Sequence, residues 1–342
     1  MSTPILICDD SGFARRQMAR SIPDGWDVEI SFAGHGQEAL EIIRAGKGDV
    51  VFLDLNMPVM DGYETMEAIR QEDLPCLVIV VSGDVQAQAR ERMLGLGAID
   101  FIRKPIDNEK LSNILTSYGI YSGVTSAQQR EADSKDTETS SLDDKLDAYR
   151  EMVNIAMGRA GESLAQLMGE FVDLPIPNVN LLESNELSMA IAEINRNDCV
   201  SAVSKGFVSA GIRGEALVIF NDTNSQNIVE LLKYDAHQST GSLELEALMD
   251  VSNILIGACL NGLSEQLNVS FSHTLPALLG RHQGLAALLN DNVKKWGTVM
   301  AIEIGYAIKA RDIAFDLLLL FPDEAMNNIY SRLVDVAKDP SS

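Results

Sequence analysis

Two short stretches of this sequence, about one hundred residues apart, carry an acid, an acid and an amide at positions i, i+4 and i+7. The residues are Asp147, Glu151 and Asn154 in the first stretch and Glu246, Asp250 and Asn253 in the second. Residues at this spacing share one face of a helix, so each stretch lines its polar groups along one stripe. A carboxamide both accepts and donates hydrogen bonds, and an acid one turn away is suited to pair with a cation. Each stretch therefore presents two acids and an amide side by side on one helix face.

A second set of polar residues follows the apolar runs in the first 120 residues. The set comprises Asp9, Asp10, Asp54, Ser82 and Lys104. In a parallel sheet the carboxyl ends of the strands meet at one edge, so we expect these side chains to converge. Three converging carboxylates repel each other, and Mg²⁺ compensates them with few carboxylate ligands and leaves positions open for phosphate. The serine and the lysine then suit the oxygens of a phosphoryl group.

The elements that position this second set alternate between strand and helix. Short continuous apolar runs predict buried strands, and the amphipathic stretches between them predict helices. The predicted strands are 5–8, 50–53, 77–81 and 101–102, and the predicted helices are 13–21, 37–44, 62–71 and 87–96. This alternation with short links predicts a doubly wound α/β domain; with 50–53, 77–81 and 101–102 taken as the third, fourth and fifth strands, its parallel sheet is five-stranded.

These residues resemble the receiver domains of two-component response regulators. The stretch 54–62, Asp-Leu-Asn-Met-Pro-Val-Met-Asp-Gly, is similar to the phosphoacceptor loop of that family, and Lys104-Pro105 is similar to its fifth-strand signature. The resemblance implies a receiver domain over residues 1–120, with Asp54 phosphorylated by a histidine kinase of the CheA type. The implied Mg²⁺ ligands are Asp9 (through water), Asp10, Asp54 and the carbonyl of Asn56, and the implied phosphate-binding and switch residues are Ser82, Phe101 and Lys104. A degenerate receiver that serves only as a docking module is the alternative.

Residues 121–142 separate the two halves and read as a polar, flexible linker, because they carry almost no large apolar side chains. A flexible segment of about 20 residues spans about 25 Å. We therefore expect two tethered parts, of which the second is able to reach the edge of the first.

We predict that the second half, residues 143–336, forms an α+β domain built from two repeats, about 143–235 and 243–336. After the first motif helix we expect strands over 198–208 and 215–220 and a helix over 223–232; the second repeat gives a helix over 243–263, strands over 299–309 and 314–321, and a helix over 324–336. Three residue pairs separated by 101 positions support the repeat: Phe220 and Phe321, Asp222 and Asp323, and Ile228 and Ile329. The predicted architecture has an internal pseudo-twofold axis, with both motif stripes facing solvent.

The second half resembles the CheC/CheX/FliY family of chemotaxis phosphatases. That family's signature is an acid or serine, three positions, glutamate, two positions, asparagine, and a proline after twenty-two more. Pro177 lies 23 residues after Asn154, and Pro276 lies 23 residues after Asn253. The first copy fits throughout, whereas the second carries Asp250 in place of glutamate.

The resemblance implies that this half hydrolyses the aspartyl phosphate of a CheY-type receiver. The implied catalytic residues are Glu151, Asn154, Asp250 and Asn253, with weaker roles for Asp147 and Glu246. Aspartate is one methylene shorter than glutamate, and a misplacement of about 1 Å costs roughly a hundredfold in rate. We therefore expect the first motif to be the stronger.

Composition restricts the partners. The 342-residue chain has a formal net charge of −23 and a pI near 4.5, which disfavours nucleic-acid binding. The four cysteines lack CxxC pairing, the four histidines lack metal-ligand spacing, and no stretch is long enough to cross a bilayer. A cytoplasmic protein is the resulting expectation.

Together these features predict a chemotaxis response regulator with a phosphatase output domain, tuned by phosphorylation of Asp54. Two alternatives stay open. Asp54 of the same chain is the substrate in cis, or the protein is a non-enzymatic docking partner of a receptor deamidase or of the flagellar switch.

Overall fold

The computed structural model describes residues 2–121, 142–183, 186, 200–221, 225–232, 240–283 and 297–338. Most of the predicted linker therefore lies outside the described residues, as do Asp222 and the ends of two predicted elements at 198–199 and 223–224. The chain divides into two compact units, residues 1–151 and 152–342.

The first unit has a five-stranded parallel sheet, as the sequence predicts, and its strands lie in the order β2-β1-β3-β4-β5. Its elements are β1 Thr3–Cys8, α1 Gly12–Ser21, β2 Val28–Ala33, α2 Gly36–Arg44, β3 Val50–Leu53, α3 Gly62–Gln71, β4 Leu77–Ser82, α4 Ala87–Leu96, β5 Asp100–Arg103 and α5 Asn108–Ser117. The central strand β3 is buried along its whole length, which explains its unbroken apolar sequence. The edge strand β2 alternates in polarity, and neither it nor α5 was located from the sequence.

Local sequence fixes where the helices of this unit begin. The Ser11 hydroxyl accepts from the backbone N–H of Ala14 at 3.1 Å, so α1 begins directly after the acids that end β1. Asp61 and Glu64 form a capping box at the start of α3. Both caps hold loops at the carboxyl edge of the sheet, where the candidate site lies.

The helix α6, Leu142–Met168, begins in the first unit and continues into the second. The further elements of the second unit are β6 Asn178–Glu183, β7 Val200–Ser209, β8 Ile212–Asn221, α7 Ser225–Leu232, α8 Thr240–Leu267, β9 Ser272–His273, β10 Ala277–Gln283, β11 Thr298–Ile308, β12 Ile313–Pro322 and α9 Asp323–Lys338. Its strands form one antiparallel sheet in the order β10-β7-β8-β12-β11-β6, with β9 also paired to β7. The predicted α+β class is confirmed, whereas β6, β9 and β10 were not predicted from the sequence.

The middle of this sheet relates residues that are 101 positions apart. Strands β8 and β12 run antiparallel, with Leu217 directly opposite Leu318. An antiparallel pair has a local twofold axis, which here relates Leu217 to Leu318. Pro177 and Pro276 each directly precede an edge strand, β6 and β10.

The two motif helices of the second unit pack closely against each other. A Cβ atom added at Gly262 on α8 would lie 2.8 Å from Ala156 Cα on α6, so only glycine permits this approach. Nearby, Gln266 Nε2 donates to the carbonyl of Met152 at 2.8 Å.

Within the described ranges, no helix is long and apolar enough to cross a membrane.

Candidate functional site

The Lys104 ammonium lies at the centre of a buried cluster of acids in the first unit. Its Nζ atom is 2.7 Å from Asp9 Oδ2, 3.1 Å from Asp54 Oδ1 and 3.0 Å from Glu151 Oε1. All four side chains are buried, with Asp54 only 1% exposed. The structure therefore brings together Asp9, Asp54 and Lys104, as the strand-end argument predicts. It also adds Glu151, from the first acid-acid-amide motif, to the same cluster.

The contacts of Lys104 differ in quality. The contact with Asp9 has hydrogen-bond geometry, whereas Asp54 Oδ1 and Glu151 Oε1 are within ion-pair distance but have no hydrogen-bond partner among the described residues. The other oxygen of Asp54, Oδ2, accepts from the backbone N–H of Asn56 at 2.9 Å. A cavity of about 10 Å³ beside these groups is the size of one water molecule. The cluster thus holds more acceptors than its single cation satisfies.

The excess of acids perturbs their protonation. Burial is the largest cause that raises the pKa of Asp54 to about 7 and that of Glu151 to about 8, with Lys104 opposing both shifts. Burial and the neighbouring Asp9 charge raise the pKa of Asp10 to about 6. Burial alone would lower the pKa of Lys104, but the surrounding carboxylates raise it well above its ordinary value. The site favours an additional positive charge at neutral pH.

The residues present fit Mg²⁺ as that charge. Among the described residues, Asp54 Oδ1 is a buried acceptor without a hydrogen-bond donor, and Asp10, whose raised pKa disfavours its ionised form, follows the neighbouring strand β1. Mg²⁺ binds through one or two carboxylates and keeps several waters. Across the described ranges, no group of three or more acidic, histidine or cysteine side chains is arranged to enclose a metal. Asp10, Asp54 and the Asn56 carbonyl are the groups that would hold such a partly hydrated ion.

The other predicted receiver residues lie on the neighbouring strands. Ser82 ends β4, is fully buried, and its hydroxyl accepts from the backbone N–H of Asp84 at 3.1 Å. Phe101 on β5 is buried, at 6% exposure. Gly62 allows the close approach of the backbone in the loop 54–62, because a Cβ atom there would lie 2.4 Å from the Asp54 carbonyl oxygen.

The first motif stripe does not face solvent, contrary to the expectation from sequence. Glu151 is 3% exposed and Asn154 is 7% exposed. In the first unit, the Asp147 carboxylate accepts from the backbone N–H of Phe13 at 2.7 Å. The expectation was wrong because Asp147 and Glu151 have partners around the acid cluster that the helical periodicity of α6 does not reveal.

The second motif stripe is exposed at Glu246, Asp250 and Asn253, as expected. The Oδ1 atom of Asn253 accepts from Lys205 Nζ at 2.8 Å. Lys205 lies on β7, is 3% exposed, and its pKa is lowered by burial. Sequence reasoning did not identify Lys205, although a lone lysine inside an apolar strand is a signal that merits attention.

The structure also describes one histidine and three cysteines that the sequence analysis considered. His35 caps α2 by accepting from the backbone N–H of Glu38 at 3.3 Å. Cys8, Cys76 and Cys259 are free thiols, of which Cys8 and Cys259 are buried and Cys76 is partly exposed. Cys199 and His237 lie outside the described residues.

Residues 5–116 match the response regulator receiver domain family, and this part of the chain is a response regulator receiver domain. The protein-glutamate methylesterase/protein-glutamine glutaminase 1 of Syntrophomonas wolfei is 40% identical over 103 residues, which cover 30% of this chain and 29% of that protein. The response regulator domain of Thermotoga maritima CheB is 30% identical and matches 35% of this chain and 99% of that chain, with a TM-score of 0.32. The chain therefore spans less than a third of this methylesterase relative.

A structure of Thermotoga maritima FliY covers 58% of this chain and 99% of its own, at 15% identity and a TM-score of 0.42. A likeness of this size does not assign the second unit to a family.

Proposed function

We propose that this chain is a two-component response regulator whose C-terminal part hydrolyses the aspartyl phosphate of a receiver domain. The observation that carries the proposal is the contact of 3.0 Å between Glu151 and Lys104, beside Asp54. Glu151 is the second acid of the first motif. Pairing of that acid with the receiver lysine is the interaction that would set the register of the motif on a phosphorylated receiver.

The proposed reaction needs little from the phosphatase itself. A phosphorylated receiver already carries the lysine and the acids that hold the phosphoryl group, and Mg²⁺ would neutralise charge on its oxygens. The missing component is a water molecule in line with the bond that breaks. The amide of Asn154 or Asn253 accepts from this water and donates to a phosphoryl oxygen. Water then adds to phosphorus as the bond to the aspartate oxygen breaks, which releases inorganic phosphate and restores the carboxylate.

Two receivers are candidate substrates. A diffusible chemotaxis receiver of the CheY type is the substrate suggested by the exposed second motif, which contains Asp250 and Asn253. The Glu151–Lys104 contact favours a second candidate, in which Asp54 of the same chain is dephosphorylated by the first motif. Intramolecular turnover is independent of protein concentration, so dilution distinguishes the two.

The internal repeat supports two catalytic motifs rather than one. The register of β8 against β12 relates residues 101 positions apart, which is the separation of Phe220 from Phe321. The repeated proline before β6 and β10 also follows the signature. A duplicated CheC-like domain would account for both features.

The proposed partners follow from this function. A histidine kinase of the CheA type supplies the phosphoryl group to Asp54, and that phosphorylation tunes the phosphatase. A receptor deamidase is a further candidate partner.

The direct test is the decay of a separate, phosphorylated chemotaxis receiver in Mg²⁺, with and without this protein. The compared variants are Asn154→Ala/Asn253→Ala and Asp54→Asn. We expect accelerated decay that the asparagine double variant abolishes, and a change of rate in the Asp54→Asn variant if phosphorylation regulates the activity. If neither this assay nor decay of the chain's own phosphoryl group responds to the asparagines, the non-enzymatic docking function replaces the proposal.

A further inference from the structure

Lys205 is a buried cation whose position is not explained by the packing of the sheet. It lies on β7, next to Phe207 and Val203, and is 3% exposed. Within the part of the chain that the structure describes, no carboxylate forms an ion pair with it, and its ammonium donates to Asn253 Oδ1 at 2.8 Å. A buried ammonium that is not paired with an acid is costly. A role beyond packing would account for its presence.

The hydrogen bond fixes the orientation of the Asn253 carboxamide. Because an ammonium only donates, it selects the oxygen of the amide and turns the Nδ2 donor away from β7. Asn253 is exposed, so this donor is available to a ligand. The amide oxygen retains a second lone pair that is able to accept from a water molecule.

We propose that Lys205 is a positioning residue of the second motif, which holds the Asn253 amide so that its Nδ2 donates to an oxygen of a docked phosphoryl group. This inference rests on the proposed phosphatase function. Lys205 itself does not touch the reacting atoms.

A lysine lies at this strand position in only one of the two proposed repeats. Lys205 pairs with Ala216 across the β7–β8 ladder. The axis through Leu217 and Leu318 relates Ala216 to Leu317, and the residue opposite Leu317 on β11 is Ile304. The first motif therefore has isoleucine at the position related to Lys205. The second motif also has the shorter acid, Asp250.

The test isolates the second motif in an Asn154→Ala background and compares Lys205→Met with Lys205→Arg. Methionine keeps the length of the side chain without the charge, and arginine keeps the charge. We expect Lys205→Met to lower kcat for the phosphorylated receiver by about tenfold to a hundredfold, with KM little changed, and Lys205→Arg to restore part of it. In the Asn253→Ala background, Lys205→Met should add no further loss, because Lys205 acts through that amide.

A second readout does not depend on activity. The side-chain NH₂ signals of Asn253 in a ¹⁵N-labelled sample are assigned by their loss in Asn253→Ala. Lys205→Met should shift them, and Lys205→Arg should shift them less. Circular dichroism confirms that each variant is folded, and Lys205→Gln replaces any variant that is not.

The outcomes separate the two claims. If the Asn154→Ala protein is active and Lys205→Met leaves kcat or the Asn253 signals unchanged, the positioning role is overturned while the phosphatase function stands. If the Asn154→Ala protein is inactive but the wild type is active, the second motif is not catalytic and the positioning role is again overturned. If the wild type does not accelerate decay at all, the proposed function and the positioning role both fail.

Discussion

The acid cluster around Lys104 should cost stability at neutral pH, and Glu151 offers a measurable part of that cost. Burial is the main cause that raises the pKa of Glu151 from 4.5 to about 8, and the charges of Asp9 and Asp54 add to it. Between these two values the folded chain binds more protons than the unfolded chain. The free energy of unfolding therefore falls as pH rises through this window.

The size of the effect follows from the same values. Each pH unit within the window lowers the free energy of unfolding by up to about 1.4 kcal/mol, so the upper bound at pH 8 is about 5 kcal/mol. Glu151→Gln removes the titration but keeps the shape of the side chain and an oxygen close to the Lys104 ammonium. The loss of the ion pair with Lys104 offsets part of the stability that the variant gains. We therefore expect the variant to be more stable than the wild type by about 1–3 kcal/mol at pH 8 and nearly equal to it at pH 5.

The assay is chemical denaturation in EDTA at several pH values, followed by the fluorescence of Trp26, which is buried in the first unit. Glu91→Gln, an exposed acid on α4, is the matched control and should change stability by less than about 0.5 kcal/mol at every pH. The same Glu151→Gln variant should lose phosphatase activity, since its amide no longer pairs as an acid with the receiver lysine. A variant less stable than the wild type at pH 8, or a difference that does not vary with pH, would refute the reasoning.

Three further predictions concern the two motifs, the metal and the phosphoacceptor loop. Asn154→Ala should lower the decay rate of a phosphorylated receiver more than Asn253→Ala does, by up to about a hundredfold; the reverse order would contradict the assignment of the stronger motif. Mg²⁺ at about one hundred times its Kd should stabilise the wild type by about 2.7 kcal/mol in calorimetry, whereas Asp10→Asn should respond much less; equal responses would remove Asp10 from the metal site. Gly62→Ala should destabilise the first unit by about 1–3 kcal/mol and slow its phosphorylation by a small-molecule donor, because the added Cβ would lie 2.4 Å from the Asp54 carbonyl oxygen. Unchanged stability of Gly62→Ala would show that the loop relaxes freely.

The acid and lysine positions of the receiver could be predicted because of a general property of parallel sheets. Apolar runs mark the central strands, and the residues that follow them must meet at one edge. Asp9, Asp54, Ser82 and Lys104 all lie where that rule places them. The edge strands β2, β6 and β10 were not located because an edge strand needs no continuous apolar sequence.

The burial of the first motif and of Lys205 depends on tertiary contacts, which the periodicity of the sequence does not predict. The spacing of Glu151 and Asn154 predicts that they share a helix face, but it does not distinguish an exposed face from a buried one. Lys205 was missed for a related reason. A single lysine in a strand is usually solvated, and the structure is needed to show that this one is buried and donates to Asn253.

The most direct test of the central claim is the lifetime of the phosphoryl group on Asp54 of the chain itself, measured in Mg²⁺ over a wide range of dilution. The wild type is compared with Asn154→Ala, with Asn253→Ala and with the double variant. The account predicts that the phosphoryl group decays faster in the wild type than in the double variant. It further predicts that the contribution of Asn154 is independent of concentration. Equal lifetimes in the wild type and the double variant at every dilution, together with no effect on a separate phosphorylated receiver, would contradict it.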